Sequence, residues 1–291
     1  MITVTQLRAF LAVARAGGVQ SAAEQLHVSQ PSVSAAVAAL AREVGAELVE
    51  RDGRGVRLTD AGRAFEPYAA QVLGLLEQGR QAAVETDAQR QARIRVAAVH
   101  TAGEYLLPPL IQAYRKFEPD AEILLEIGNN AAVLERLTTH GADVGIGGEP
   151  AIREVVGEPF LENELIVVGR EEPDELSTAT WLLREPGSGT RAATERLLTE
   201  KQLEPTILTL GSNGAIKRAL AIGLGVTLVS RCAVARELRD GQLVQIPVKL
   251  KWSSRRWNVL RVRDVPERPA VAAFRAFLHS PEARAAINDY L

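Results

Sequence analysis

From Thr5 to Ala16 the apolar positions Leu7, Phe10, Leu11 and Ala14 recur at helical spacing, and Gly17-Gly18 ends the run. A second helix is predicted from Gln20 to Leu26. His27-Val28-Ser29 interrupts it, and Gln30-Pro31 opens a third helix with proline in the first turn, where a missing N–H costs nothing. In that third helix Val33, Val37, Leu40 and Val44 fall at i, i+4, i+7 and i+11 and make one apolar stripe. The opposite face carries Ser32, Ser34, Ala35, Ala38 and Ala39, all small and uncharged. Such a helix pair fits a helix-turn-helix, whose second helix approaches the DNA major groove closely. It fits an ordinary αα-hairpin in a larger core equally well.

The next residues of the chain add a hairpin, which taken alone fits a solvated loop with surface arginines as well as a DNA-binding wing. Residues 47–59 place Val49, Val56 and Leu58 around a glycine-bearing turn at Asp52 to Gly55, a hairpin signal, with Arg51, Arg54 and Arg57 on or beside the turn. An arginine at a hairpin tip suits a narrow minor groove, where the potential is most negative. Three helices and then this wing, in that order and with short connections, make a winged helix-turn-helix. A long helix is predicted beyond it, from a cap at Thr59 or Asp60 to about Gln89. Its residues Ala61, Phe65, Tyr68, Val72, Leu75, Gly79 and Ala82 step by four and three, a heptad seam that seeks another helix, most simply a second copy of itself. Pro67 is expected to kink this helix near Glu66. The polar stretch 85–93 reads as a linker.

At Arg93 the pattern turns to alternating strand and helix. Strands are predicted at Ile94 to Val99, Glu122 to Ile127, 143–148, Leu165 to Val168, near Ile207 and Val226, and at Trp257 to Val262. Helices are predicted after the first strand, at Ala131 to His140, Ser188 to Thr199, Gly214 to Ile222, Ala233 to Leu238, Ala270 to Leu278 and Glu282 to Leu291. Alternation of this kind argues for a mostly parallel sheet. The chain is expected to cross over around Pro159 to Glu164 between two small α/β lobes that form a clamp. The expected fold class is therefore α+β multidomain. A winged helix-turn-helix occupies 1–59, a linker and dimerisation helix 60–92, and a two-lobed effector domain 93–291. Lobe I is placed at about 93–160 and 268–291, and lobe II at about 165–263.

Composition narrows the class without changing this picture. In 291 residues, 46% are hydrophobic and 24% charged, and no apolar run reaches membrane-spanning length. The start MITVTQLRAF does not read as a signal peptide. A single cysteine, Cys232, excludes an internal disulfide framework and a thiolate metal cluster, and a cytoplasmic location is the simplest expectation. The net charge of -2 gives no overall attraction to nucleic acid, so DNA contacts must come from local placement of arginines.

The segment QLRAFLAVARAGGVQSAAEQLHVSQPSVSAAVAALAREVGAELVERDGRGVRLTDAG resembles the LysR-type transcriptional regulators nearly throughout, and the remainder looks like that family's effector domain of periplasmic-binding-protein type. The resemblance implies sequence-specific binding to double-stranded DNA under the control of a small-molecule effector. It implies a homodimer or homotetramer, with RNA polymerase as a further partner it allows, and no membrane and no cofactor. By similarity Gln20 or Ser21 meets phosphate, and Arg51 and Arg54 serve the wing, with Arg54 nearest the tip. Two departures stand out: Ala35 and Ala36 follow Ser34 where relatives often carry arginine or histidine, and Leu48-Val49 stands where leucine-phenylalanine is usual. Direct readout then falls to Gln30, which can pair bidentately with adenine, to Ser32 and Ser34, and to Ala35 against thymine methyls. Ser29 and Pro31 complete the expected DNA-facing set.

Four loops at helix starts carry groups suited to a small anion: Thr101-Ala102-Gly103, Asn129-Asn130, Ser188-Gly189-Thr190 and Ser212-Asn213-Gly214. Helix N-termini offer free N–H groups and a positive dipole end, although the same side chains commonly just cap their own helices. Effector contacts are expected from Thr101, Ala102, Gly103, Asn129, Gly147, Gly148, Ser188, Gly189, Thr190 and Asn213. The run PGSGTR looks like family members tied to carbon fixation or sulfur assimilation, and a carboxylate, a phosphate ester and an inorganic oxyanion all suit such loops.

Catalytic readings find little. The glycines at 145–148 and 223–225 lack phosphate-loop spacing, and Ser188 is not in a nucleophile elbow. His27, His100, His140 and His279 are scattered without metal-ligand spacing, so no metal site is expected; His100 is the one near the proposed cleft. No enzyme is expected. The rival readings are a small-molecule binding protein whose helical head only dimerises, without DNA binding, and an enzyme acting on an anionic metabolite.

Overall fold

The computed structural model describes residues 1–53, 55–84, 93–249, 254–265 and 267–290. Arg54 and most of the expected linker, 85–92, lie outside the described residues. The chain divides into two compact units, residues 1–86 with 138–141, and residues 87–137 with 142–291.

In the first unit α1 (Val4–Ala16) is held at its start by a capping box: Gln6 N donates to Thr3 Oγ1 at 3.3 Å and Thr3 N to Gln6 Oε1 at 2.7 Å. Gly17, at φ 65°, closes it in the left-handed conformation that glycine adopts without strain. The helix pair is α2 (Val19–Leu26) and α3 (Gln30–Val44), and Ser29 caps α3 by accepting from Ser32 N. Val33, Val37 and Leu40 point inward against Phe10, Leu7 and Leu48, so the predicted stripe is the side of α3 that holds the head together. Burying each such side chain contributes roughly 1.5–3 kcal/mol. Strands β1 (Val49–Asp52) and β2 (Gly55–Leu58) pair antiparallel, and Val56 N donates to Gly17 O at 2.9 Å, tying the wing to the end of α1.

Helix α4 (Asp60–Val84) starts with Thr59, whose hydroxyl accepts from Gly62 N at 2.9 Å and donates to Glu47 O at 2.6 Å. At Gly62 a Cβ would lie 1.9 Å from the Leu48 carbonyl oxygen, so the close approach needs glycine. Pro67 lies inside this one continuous helix. The predicted heptad seam divides. Ala61 and Phe65 pack on the head's own core, with Phe65 5.7 Å from Phe10, whereas Tyr68, Val72 and Leu75 are exposed, as is Leu76 beside them. The side chain of Ala82 lies outside the described ones. The first turns of α4 thus belong to the head's core as well as to a linker.

The second unit is built on a sheet whose strand order is β4-β3-β5-β11-β6-β9-β7-β8, with β10 beside β6. The strands are β3 (Arg93–Val99), β4 (Glu122–Gly128), β5 (Val144–Gly147), β6 (Val155–Gly169), β7 (Trp181–Leu183), β8 (Ile207–Thr209), β9 (Val226–Ser230), β10 (Val244–Ile246) and β11 (Ser254–Val262). The helices are α5 (Leu107–Phe117), α6 (Asn130–Thr138), α7 (Gly189–Glu200), α8 (Asn213–Ala221), α9 (Arg231–Arg239), α10 (Pro269–Leu278) and α11 (Pro281–Tyr290), and a π-helical turn, Ala102–Leu106, precedes α5.

The second unit departs from the expected layout in three ways. The sheet is mixed: β3 is parallel to β4 and β5, and β7 to β8 and β9, but β6 is antiparallel to β9, β10 and β11. The expected crossover at 159–164 is the middle of one strand, since β6 pairs with β11 over its first part and with β9 from Leu165 onward. Strand β11, expected in lobe II, pairs with β5 and the first part of β6 and so belongs to lobe I. Pro159 is tolerated there because the register shifts beside it, between Trp257 and Asn258, as at a bulge.

Both faces of each lobe's sheet are covered, and the period-2 alternation of the strands decides which residue goes where. On β6, Leu165 and Val167 join one cluster with Trp181 and Leu197, while Ile166 and Val168 join another with Ile216 and Leu220. In lobe I, Ile94 and Val96 pack with Leu110, Phe274 and Phe277, with Tyr114 edge-on to Phe274 at 5.0 Å, so the last helices return to the first lobe. Asp143 fastens the same lobe: it accepts from Arg95 N and Nη2, both at 2.8 Å, and from Arg268 Nη2 at 2.7 Å. Burial would raise its carboxyl, but the Arg95 hydrogen bonds and charge outweigh that and hold it below the usual range.

Candidate functional site

On the head, the residues expected to face DNA are all at the surface where they are described. Gln30, Pro31, Ser32, Ser34, Ala35 and Ala38 are exposed on α3, while Ala39 is half-buried. Ser29 is engaged in the cap, its hydroxyl 2.8 Å from that of Ser32 as well as accepting from Ser32 N. Gln20 and Ser21 lie in the first turn of α2, where Gln20 Nε2 donates to Glu24 Oε1 at 3.3 Å. On the wing Arg51 is exposed at the position before Asp52, and Gly53 turns with φ 59°. Arg57 is paired with Glu50 across the hairpin at 2.9 Å, so its charge is compensated on the spot. The exposed positions of α3 from Gln30 to Ala38 carry small or uncharged side chains, and the wing carries exposed Arg51.

In the second unit the carboxyl ends of β3, β5, β7 and β9 converge on one cleft, the place where open α/β sheets take ligands. Of the expected effector residues, Thr101, Asn129, Gly148, Ser188, Gly189 and Thr190 line it. Ala102, Gly103, Gly147 and Asn213 do not. Ala102 points into the lobe I core, and Gly103 is packed on Ile127, where a Cβ would come within 2.7 Å of that side chain. Gly147 is buried in β5, and Asn213 is buried between Glu104 and Arg184, donating to Glu104 Oε2 at 2.9 Å. Among the helix-start side chains, Asn129 and Ser212 cap their own helices, bonding Ala132 N at 2.9 Å and Ala215 N at 3.1 Å. Ser188 makes no capping bond at the start of α7.

The cleft holds groups that local patterns did not single out: Arg184 and Glu185 just past β7, Arg255 on β11, and Asn163 and Ser230, linked at 2.5 Å. His100 also lines it, with Nδ1 3.5 Å from Glu104. Arg184 bonds Glu185 through Nε at 2.8 Å and Nη2 at 2.9 Å. Burial would raise the Glu185 carboxyl, and this bidentate pair overrides it and holds the group below its usual range. Partial burial, then the like charge of Arg196, pulls the Arg255 guanidinium below its usual range, and Arg255 Nη1 donates to the Gly189 carbonyl at 3.3 Å. The space open to water is about 50 Å³. One water needs about 10–15 Å³ on that measure, so the room is that of a few waters or one small oxyanion. Cys232 lies outside the cleft, and burial pushes its thiol up to about 11, leaving it protonated at neutral pH.

Residues 4–63 match the family described as bacterial regulatory helix-turn-helix protein, lysR family, and residues 87–281 match the LysR substrate binding domain. The chain is 33% identical over 293 residues to a RuBisCO operon transcriptional regulator of Acidithiobacillus ferrooxidans, covering 97% of this chain and 94% of that protein. Its fold is similar to that of a full-length OxyR variant from Pseudomonas aeruginosa, with a TM-score of 0.63 at 24% identity over 98% of this chain and 97% of that one. The regulatory domain of Synechocystis CcmR, solved in complex with 2-PG, matches 64% of this chain and 95% of its own length at 28% identity and a TM-score of 0.60. Among the described residues no helix is long and apolar enough to cross a membrane.

Proposed function

The chain belongs to the LysR family of DNA-binding transcriptional regulators, and on that footing we propose that it reads its operator through α3 and the wing under the control of a small anion held in the second unit's cleft. Gln30, Ser32 and Ser34, with Ala35, meet base edges in the major groove. Gln20 and Ser21 meet phosphate, and Arg51 with Arg54 addresses the adjoining minor groove. Two copies joined along the exposed Tyr68, Val72, Leu75 and Leu76 of α4 present two heads to half-sites one helical turn apart or a multiple of it. The protein acts as a cytoplasmic regulator and not as an enzyme.

One observation carries the effector half of this reading. Thr101, Ser188, Thr190 and Arg255, from different strand ends and a helix start, converge with the N-terminal end of α7 on one cleft. A helix end with free amides beside an arginine attracts an anion of modest size. The 2-PG complex of the CcmR domain supports a small-molecule ligand for a domain of this kind. For such a ligand to control DNA binding it must favour one arrangement of the lobes over another.

The test is thermal unfolding of the full-length protein with 2-PG, nitrate, formate and sulfate. A ligand at about 100 times its Kd stabilises by about 2.7 kcal/mol. Stabilisation by at least one of them, lost in Thr190→Val while DNA binding is kept, supports the cleft. If none stabilises, or if Thr190→Val responds as the parent does, the anion reading of these loops fails.

A further inference from the structure

The charges around the cleft do not simply add up to an attraction for anions. Arg184 is 2% exposed, and its fork is filled by Glu185, which itself lines the cleft. Arg256 lies 3.7 Å from Glu162. His100 Nδ1 lies 3.5 Å from the Glu104 carboxylate. Arg255 differs, because its bond goes to a neutral carbonyl and, among the described residues, no carboxylate pairs with it. It stands at the first turn of α7, where the helix end adds about half a positive charge.

We propose that the cleft selects a small anion carrying a single negative charge, and that Glu185 sets this limit by occupying the guanidinium fork of Arg184. The proposal rests on the reading of the cleft as the effector site. The first charge of a ligand meets Arg255 and the amides of α7. A second charge meets the other two guanidiniums that line the cleft, Arg184 and Arg256, each already within 4 Å of a carboxylate, and it faces the Glu185 carboxylate. Arg–carboxylate forks are the geometry by which proteins hold oxyanions, and in this cleft the protein's own side chain holds that position. An unpaired charge left against a like charge in a half-buried site is a means of rejecting the wrong ligand.

Calorimetric titration of the full-length protein at neutral pH and fixed ionic strength tests this, with nitrate and formate as single-charge probes and sulfate and selenate as double-charge probes. The parent protein should bind the better single-charge probe at least about tenfold more tightly than either dianion. Glu185→Gln should raise sulfate and selenate affinity at least about tenfold and change nitrate and formate by less than about threefold, because Arg184 regains its fork. Arg255→Gln should weaken both classes. A parent protein that binds sulfate as tightly as nitrate, or a Glu185→Gln variant with an unchanged ratio, overturns the charge filter while leaving an anion cleft standing. Binding of no probe, or indifference of all four to Arg255→Gln, sinks the anion cleft itself and the filter with it. Should Glu185→Gln fail to fold, the parent's ratio and the Arg255→Gln result still decide.

Discussion

Replacing Gln30 with alanine removes one side chain from the exposed start of α3 and disturbs little else. The capping bond of that helix belongs to Ser29 and Ser32, the inward stripe to Val33, Val37 and Leu40, and Gln30 is exposed. Alanine is the better helix former by about a few tenths of a kcal/mol at most, so the melting temperature should hold. Binding should not. A bidentate pair between glutamine and adenine is worth about 1–3 kcal/mol per half-site, and two heads on one operator lose roughly double, about 2–6 kcal/mol. At about 1.4 kcal/mol per decade, that is a loss of roughly 30-fold to 20,000-fold in specific affinity. Non-specific affinity and the slope of log K against log salt should stay as they were, because no phosphate contact is removed. Fluorescence anisotropy on the operator and on a scrambled duplex, across a salt series, measures both. Equal losses on the two duplexes would refute readout by Gln30.

Substitutions at three other positions test the packing and the pairing of copies. Gly62→Ala, which in an open helix would stabilise by about 1 kcal/mol, should cost about 3 kcal/mol in urea unfolding, because its Cβ would lie 1.9 Å from the Leu48 carbonyl oxygen. Leu75→Glu should shift the protein toward monomer in light scattering with the unit's stability kept, since Leu75 is half exposed in one copy. Asp143→Ala should cost about 3–5 kcal/mol by removing the buried acid that Arg95 grips through both its backbone and its guanidinium. The folded Asp143 carboxyl lies below its unfolded value, so the unfolded chain binds more protons between the two values. Its stabilisation is therefore full above the unfolded value, near 4, and fades as pH falls through the folded one. Asp143→Asn, compared with the parent protein by unfolding from pH 7 downward, should lack that part of the acid slope.

The head was legible because its signals are local. The stripe of α3, the proline start, the capping serine and the glycine turn each need only a few neighbouring residues to act. The heptad seam was half legible: spacing marked Ala61 and Phe65, but only the folded head shows that they serve its own core while Tyr68, Val72 and Leu75 do not. In the second unit, Pro159 and Asn163 interrupt the apolar pattern of β6, so only its end from Leu165 reads as a strand, with a crossing before it. The partner that makes it one strand, β11, comes much later in the chain, and nothing in either stretch announces the other. The cleft divides in the same way. Thr101, Ser188 and Thr190 sit in recognisable helix-start loops, whereas Arg184 and Arg255 are ordinary arginines until β7 and β11 bring them to one place. Asn213 looks like its neighbours in a loop pattern, and its burial between Glu104 and Arg184 is a property of the assembled lobes.

Competition between duplexes tests most directly whether the head reads DNA sequence. The full-length protein is titrated onto labelled DNA from upstream of its own gene, with unlabelled scrambled duplex in large excess and the salt concentration stepped. Binding should survive the competitor and weaken steeply as salt rises, since specific complexes are typically about 1,000-fold or more tighter than non-specific ones, ~4 kcal/mol at the least. Binding that the scrambled duplex abolishes, or that is indifferent to salt, would make the head a dimerisation element and contradict sequence-specific recognition.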